Sequence, residues 1–310
     1  MPIKVNDSIT EHTIDTPQPE MASSPAMAPA PEGVSASPSA VSGAAAPAYR
    51  TTTDPNKIIV TIADRTTPIV VLYGPPSCGK TMTLVRLARY LQEHGYQVVP
   101  DKSFRDSQDA AYQELCDNFN NLITSNDAAN STSIISFMLV KVLSPTGHPV
   151  CQLLEAPGEH YFDPDSKTVA YPPYITKILN SANRKIWAVM LEPDWKDQAI
   201  RSKYVSNIKY LYNRSNRKAK VLFLYNKVDL SNSKTLSDTV KEVQDHFVGI
   251  FEPFRNQNPI TKFWRSYNCN ILRFTTGDYA PALDGSITYI PSSDEYPARL
   301  WKELKKMIRG

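Results

Sequence analysis

The feature that most constrains this 310-residue chain is a G-x-x-x-x-G-K-T motif, which lies between an apolar run at 70–73 and a helical pattern. Its glycines allow a tight loop whose backbone N–H groups surround phosphate oxygens, and the following helix directs its positive end at the same anion. The lysine supplies a charge for phosphate, and the threonine hydroxyl suits Mg²⁺. The motif therefore predicts a phosphate-binding loop, formed by Gly74, Pro75, Pro76, Ser77, Cys78, Gly79, Lys80 and Thr81. With the loop empty, we expect the Lys80 side chain to be exposed.

Strand and helix patterns alternate along the chain, which predicts the α/β class with a mostly parallel sheet and helices on both faces. A turn at 145–148 joins two apolar runs, so we expect an antiparallel hairpin at one edge of the sheet. The predicted strands are 57–62, 68–73, 96–99, 134–143, 150–155, 186–191, 221–225 and 270–274, and no further strand is predicted after 270–274. The predicted helices include 80–94, 108–123, 174–182 and 296–308, with one more after each of the strands at 186–191 and 221–225.

The N-terminal segment, residues 1–55, differs in composition from the rest. From 17 to 48 nearly every residue is Ala, Pro, Ser or Gly, and no Lys or Arg occurs between Lys4 and Arg50. Such a segment cannot bury enough apolar surface to offset its ordering entropy, so we expect a disordered tail. Its first nine residues are either a tethered docking peptide or a dispensable end. Residues 56–310 are predicted to form one domain.

Charge and cysteine content restrict the partners and the compartment. The chain has 34 Lys and Arg against 31 Asp and Glu, a net charge of +3, which gives no clear nucleic-acid patch and no anionic-membrane signal. Four scattered cysteines without a C-x-x-C pair indicate a reducing compartment. The sequence contains no predicted membrane span and no secretory signal. We therefore expect a cytoplasmic protein.

A second motif selects the base. Asn226, Lys227 and Asp229 form N-K-x-D directly after an apolar strand. The Asp229 carboxylate can accept two hydrogen bonds from guanine, at N1–H and the exocyclic amine, whereas adenine presents an acceptor at N1. The Lys227 stem can lie along the base, and Asn226 can connect this turn to the phosphate loop. The pattern predicts a preference for guanine nucleotides.

Two weaker motifs also follow strands. In Glu155-Ala-Pro-Gly158 the acid can hold Mg²⁺ through water, and the Gly158 N–H can contact a γ-phosphate. Thr275-Thr276-Gly277 follows the strand at 270–274 and can contact the base from behind.

These four motifs, in this order, resemble the P-loop GTPases of the translation-factor-related (TRAFAC) class, which have a Ras-like core in a three-layer P-loop NTPase fold. The likeness covers roughly residues 57–310, and a divergent bacterial conflict-system GTPase is a more distant match. It implies that Thr81, Glu155 and a switch threonine hold Mg²⁺. Thr132 is the first choice for that threonine and Thr124 the alternative. The helix at 108–123 is an insertion relative to the family, either a recognition element or padding.

The sequence departs from the family at the residues expected to support hydrolysis. The family's acid is Asp, here Glu155, and two prolines remove N–H donors from the loop. Glu159 occupies the place of the residue that orients water in relatives, and His160 follows it, so the catalytic candidates are Lys80, His160 and Glu159. His160 is the better of the last two, because a carboxylate is repelled by phosphate.

The resemblance implies a GTP/GDP switch that hydrolyses GTP slowly and controls an unknown protein effector. No arginine of this chain can be assigned as an arginine finger, the residue that stabilises charge in the transition state, so an activator protein is expected to supply it. The alternatives are an adaptor that binds GTP or GDP without hydrolysis and, less favoured, a P-loop ATPase or kinase.

Overall fold

The computed structural model describes residues 55–124, 137–155, 171–193, 195, 197–215, 219–258, 266–281 and 287–310. The predicted tail lies outside these residues except for Pro55. The strands are β1 (Ile69–Tyr73), β2 (Gln97–Pro100), β3 (Met138–Leu143), β4 (Pro149–Glu155), β5 (Lys185–Leu191), β6 (Lys220–Tyr225), β7 (Cys269–Arg273), β8 (Gly277–Pro281) and β9 (Ile287–Pro291). The helices are α1 (Lys80–Glu93), α2 (Ala110–Thr124), α3 (Pro173–Asn180), α4 (Gln198–Arg214), α5 (Leu236–His246) and α6 (Glu295–Arg309). Short 3₁₀ turns lie at Pro55–Lys57, Lys102–Phe104, Val228–Leu230 and Glu252–Phe254.

Seven strands form one sheet in the order β2-β3-β4-β1-β5-β6-β7, and β4, β1, β5, β6 and β7 are parallel to their neighbours within that set. Strand β3 is antiparallel to both β4 and β2. The fold is therefore a three-layer α/β fold with a mostly parallel sheet and an antiparallel hairpin at one edge, as the sequence predicted. One strand, β2, lies outside the hairpin and forms the edge itself.

The central strands are apolar because helices cover both faces of the sheet. All five residues of β1 are buried, as are six of the seven in β5. On one face, Tyr73, Trp187 and Tyr204 pack their rings together, with Tyr204 supplied by α4. Helix α1 packs against α2 and α6.

Two predictions about strands are wrong. The strand predicted at 57–62 is absent, because Lys57 belongs to a 3₁₀ turn and residues 58–62 form no strand. Residues 58–62 do alternate in burial, with Ile58 and Val60 buried and Ile59 exposed. The Thr61 N–H instead donates to the Phe104 carbonyl at 2.7 Å, which is a single contact and not a ladder. The strand at 270–274 is also not the last, because β8 and β9 follow it as a separate antiparallel pair.

The parallel strands all point their carboxyl ends at one edge, where ligands bind in open α/β sheets. Strand β1 lies at the centre, with β4 on one side and β5 on the other. The loops after β1, β4, β6 and β7 carry the four motifs predicted from the sequence. The fold therefore brings the starts of all four motifs to the same edge. No described helix is long and apolar enough to cross a membrane.

Candidate functional site

The predicted phosphate-binding loop joins β1 to α1, as expected from its motif. Gly79 precedes the helix with φ +86°, in the left-handed region that favours glycine. A Cβ at Gly79 would lie 2.5 Å from Asn226 Nδ2, and one at Gly74 would lie 2.6 Å from Cys78 Sγ. Glycine is required at both positions because neighbouring atoms occupy the space that a side chain would need. No side-chain hydrogen bond caps the start of α1, so the backbone N–H groups of its first turn face the loop.

The prediction that Lys80 is exposed is wrong. Its residue exposure is 7%, and its ammonium donates to the Pro75 carbonyl at 2.6 Å and to the Gly74 carbonyl at 3.1 Å. A desolvated ammonium needs acceptors, and the carbonyls of its own loop are the nearest ones. The ammonium has three N–H donors, so these two contacts leave one for a phosphate oxygen.

Thr81 and Glu155 lie side by side. The Thr81 hydroxyl donates to Glu155 Oε1, and Glu155 is almost fully buried at the end of β4. The two come together because Glu155 pairs with Leu72 in the register of β1 and β4. A hydroxyl and a carboxylate are hard oxygen ligands of the kind that Mg²⁺ binds together with substrate phosphates. These residues fit the ion, and the extra methylene of Glu155 does not prevent its carboxylate from reaching Thr81.

The N-K-x-D turn is attached to both neighbouring loops. The Asn226 side chain is buried, and its Nδ2 donates to the Cys78 carbonyl at 3.0 Å, which is the predicted connection to the phosphate loop. The Asn226 backbone N–H donates to the Leu191 carbonyl at 2.7 Å. Lys227 has φ 55°, and Asp229 lies in the Val228–Leu230 turn. Asp229 is exposed, and within the described ranges its carboxylate has no hydrogen-bond or ion-pair partner.

The turn after β7 lies beside the N-K-x-D turn. The Val228 N–H donates to the Phe274 carbonyl at 3.3 Å. Thr276 is buried, and its carbonyl accepts from the Ser292 N–H and the Tyr289 hydroxyl. The Thr275 carbonyl accepts from the Ser292 hydroxyl at 2.8 Å. The β8–β9 hairpin therefore holds this turn in place, while the predicted contact of Thr275 and Thr276 with a base stays a prediction.

Two acidic residues at this edge were missed by the sequence predictions. Glu192 directly follows β5, and its buried carboxylate lies 2.6 Å from Lys227 Nζ. Glu242 on α5 accepts from the Ser231 hydroxyl at 2.7 Å and from the Ser233 hydroxyl, which fixes the loop after Asp229. A signal for Glu192 was present, because an acid directly follows the apolar run 186–191, much as Glu155 follows Leu153 and Leu154. No local pattern pairs Glu242 with those serines.

The loop cysteine is inert. Cys78 is fully buried, and burial raises the pKa of its thiol to about 11. The thiol is therefore protonated at neutral pH and is a poor nucleophile.

Several predicted site residues cannot be placed. Gly158, Glu159, His160 and Thr132 lie outside the described residues. The alternative switch residue, Thr124, ends α2, where its hydroxyl donates to the Asn120 and Asn121 carbonyls at 3.0 Å.

No protein-family profile and no curated protein matches this sequence. Among solved structures, a Plasmodium falciparum protein described as nucleolar GTP-binding protein 1 is similar over 80% of this chain and 90% of its own, with 13% identity and a TM-score of 0.39. The signal recognition particle receptor SRb-GTP/SRX complex from Chaetomium thermophilum is similar over 77% of this chain and 98% of that chain, with 14% identity and a TM-score of 0.39. Likeness at this distance assigns no family.

Proposed function

We propose that this protein binds guanine nucleotides at the carboxyl edge of its sheet and acts as a GTP/GDP switch. The observation that carries the proposal is the hydrogen bond from Asn226 Nδ2 to the Cys78 carbonyl. It joins the turn that can read a base to the loop that can hold phosphates, so the two motifs form one site.

Each end of the site supplies a different interaction with the nucleotide. Asp229 is positioned to accept from the guanine N1–H and exocyclic amine, and Thr275 and Thr276 back the base. Lys80 and the backbone N–H groups of the loop and of the first turn of α1 bind the phosphates. Thr81 and Glu155 would hold Mg²⁺, which would neutralise charge on the phosphate oxygens. We further propose a cytoplasmic location and an unidentified protein effector.

The reaction proposed is slow hydrolysis of GTP. Water attacks the γ-phosphorus in line, the bond from that phosphorus to the β–γ bridging oxygen breaks, and GDP and inorganic phosphate leave. Lys80 stabilises the negative charge on the transferred group. The assignment of His160, and of Glu159 as the weaker candidate, to water positioning remains a prediction from the sequence.

A nucleotide-binding adaptor without hydrolysis is the second candidate. It is favoured by Glu155 and Glu159, because both depart from the pattern of the GTPases that the sequence resembles. Both candidates require the same guanine-binding site.

Two measurements test these proposals. Protein denatured after purification should release GDP or GTP, identified by chromatography, and little or no ADP or ATP. Under saturating GTP and Mg²⁺, the switch releases phosphate over hours and the adaptor releases none above a Lys80→Ala background. Recovery of adenine nucleotides alone would contradict both candidates.

A further inference from the structure

A buried acid separates the two ends of the site and belongs to none of the four motifs. Glu192 directly follows β5, which lies between β1 and β6. Its side chain is 7% exposed, and the carbonyl of the preceding residue, Leu191, accepts the Asn226 N–H at 2.7 Å. Glu192 therefore lies where the phosphate loop and the base-reading turn meet.

The Glu192 carboxylate forms an ion pair with Lys227, 2.6 Å from Nζ, and the Lys227 side chain is 33% exposed. Removing a carboxylate from water is costly unless a cation compensates it, so this pairing constrains where the ammonium can lie. The Lys227 backbone has φ 55° and ψ 41°, a left-handed conformation that non-glycine residues seldom adopt without support. The side chain and the backbone of Lys227 are thus both held from β5, by Glu192 and through the neighbouring Asn226.

We propose that Glu192 is a positioning residue that holds the Lys227 stem along the plane of the bound base, an inference that rests on the guanine-binding function proposed above. The four-carbon stem offers an apolar surface to a base, while the ammonium must stay near a partner. With Glu192 as that partner, the Lys227 stem is held in one orientation against the face of the base. Without Glu192, the ammonium moves toward water and the base loses its contact with the stem.

This role is separable from that of Asp229. The strength of a contact with the face of a purine depends little on the substituents at the edge of the ring. Asp229, in contrast, distinguishes purines by the groups at that edge. Glu192 therefore sets how tightly a purine nucleotide of the accepted kind is held, and Asp229 sets which kind is accepted. On this proposal, phosphate binding is left to Lys80 and the loop.

The test compares three ligands: GDP, IDP and inorganic tripolyphosphate, each titrated calorimetrically with Mg²⁺ present. In Glu192→Gln we expect GDP and IDP to bind about tenfold more weakly, by the same factor, and tripolyphosphate to bind as it does to the parent. The matched control is Glu252→Gln, which removes an exposed ion pair with Arg255 and should alter none of the three. A merely structural role would weaken tripolyphosphate as well.

A double-mutant cycle tests whether Glu192 acts through Lys227. Lys227→Met keeps the stem and removes the charge, so Glu192→Gln should have no further effect on GDP affinity in that background. If Glu192→Gln fails to fold, Glu192→Asp retains the carboxylate one methylene short and should give a smaller, equal loss for GDP and IDP. Unchanged GDP affinity in a folded Glu192→Gln variant overturns this inference alone. A parent protein without affinity for guanine nucleotides overturns the proposed function and this inference with it.

Discussion

The phosphate end and the base end of the site differ in what their key side chains contact. At the phosphate end, Lys80 and Thr81 already have partners within the protein, in loop carbonyls and in Glu155. At the base end, Asp229 is exposed and its carboxylate has no partner in the described part of the chain. The backbone around Asp229 is nevertheless fixed, through Asn226 and Val228.

The proposed function implies that the two ends bind a nucleotide in different ways. The base end is preorganised, so a base gains its hydrogen bonds without displacing protein contacts. At the phosphate end, Lys80 and Thr81 are held by internal contacts before a ligand binds, so any such contact that the ligand displaces is subtracted from the affinity. Substitutions at the phosphate end should therefore affect both the stability of the free protein and its affinity, whereas Asp229 should affect affinity alone.

The largest effect is expected for Lys80→Ala. Loss of the charge should weaken GTP and ATP alike by at least about 100-fold, because charge-assisted hydrogen bonds to phosphate are lost. The Gly74 and Pro75 carbonyls also lose their donor, which should lower the free energy of unfolding by about 1–2 kcal/mol. Calorimetric titration and denaturant unfolding measure the two effects, with the exposed Lys209→Ala as control. Parent-like GTP affinity would show that the loop does not bind phosphate.

Asp229→Asn should lower GTP affinity by about 2–4 kcal/mol, because a charged acceptor for two guanine donors is lost. The new amide can donate to the C2 carbonyl of xanthine, so XTP should bind this variant more tightly than it binds the parent. The unfolding free energy should not change, since the Asp229 carboxylate has no partner among the described residues. The exposed Asp245→Asn serves as control. A variant that still prefers GTP to XTP as the parent does would contradict the assignment.

Asn226→Ala tests the connection between the two ends. It leaves the Cys78 carbonyl without the Nδ2 donor, so we expect GTP affinity to fall by about 1–2 kcal/mol and the preference over ATP to persist. Competition titrations with both nucleotides measure this. Loss of the base preference without loss of affinity would show that Asn226 reads the base and does not join the loops.

The smallest effect concerns Glu242, which supports the base end. Burial raises the pKa of Glu242, but hydrogen bonds from Ser233, Ser231 and Tyr225 outweigh it, so the pKa lies below its ordinary value of 4.5. A lowered folded-state pKa contributes stability above the unfolded-state value, and this is lost as the pH falls through the folded-state value. Relative to Glu242→Gln, the parent should gain under about 1 kcal/mol at pH 7, given solvent screening. Denaturant unfolding at pH 7 and below pH 4.5 should show that difference shrinking; a constant difference would contradict it.

The sequence predicted the parts of the site that depend on local pattern. Lys80 and Asp229 lie in motifs whose spacing itself reflects a strand followed by a turn. The Asn226 contact was also predictable, because the two motifs follow strands of one parallel sheet.

The features that the sequence did not predict depend on contacts between residues that are far apart in the chain. Glu192 is recognisable only once Lys227 is next to it, and the burial of Lys80 depends on where the loop carbonyls point. The Tyr289 hydroxyl of the β8–β9 hairpin donates to the Thr276 carbonyl. The alternation of strands and helices in the sequence does not predict this contact. The strand predicted at 57–62 is an error of the opposite kind, because the predicted element is absent. Residues 58–62 alternate in burial, but no described strand pairs with them.

The central claim is that Asp229, held in a preorganised turn, makes this a guanine-specific site. Calorimetric titration of nucleotide-free protein with GTP and with ATP, in the same Mg²⁺ buffer, tests it most directly. The account predicts that GTP binds more tightly by at least about 2 kcal/mol, or roughly 30-fold. Equal affinities, or tighter binding of ATP, would contradict it.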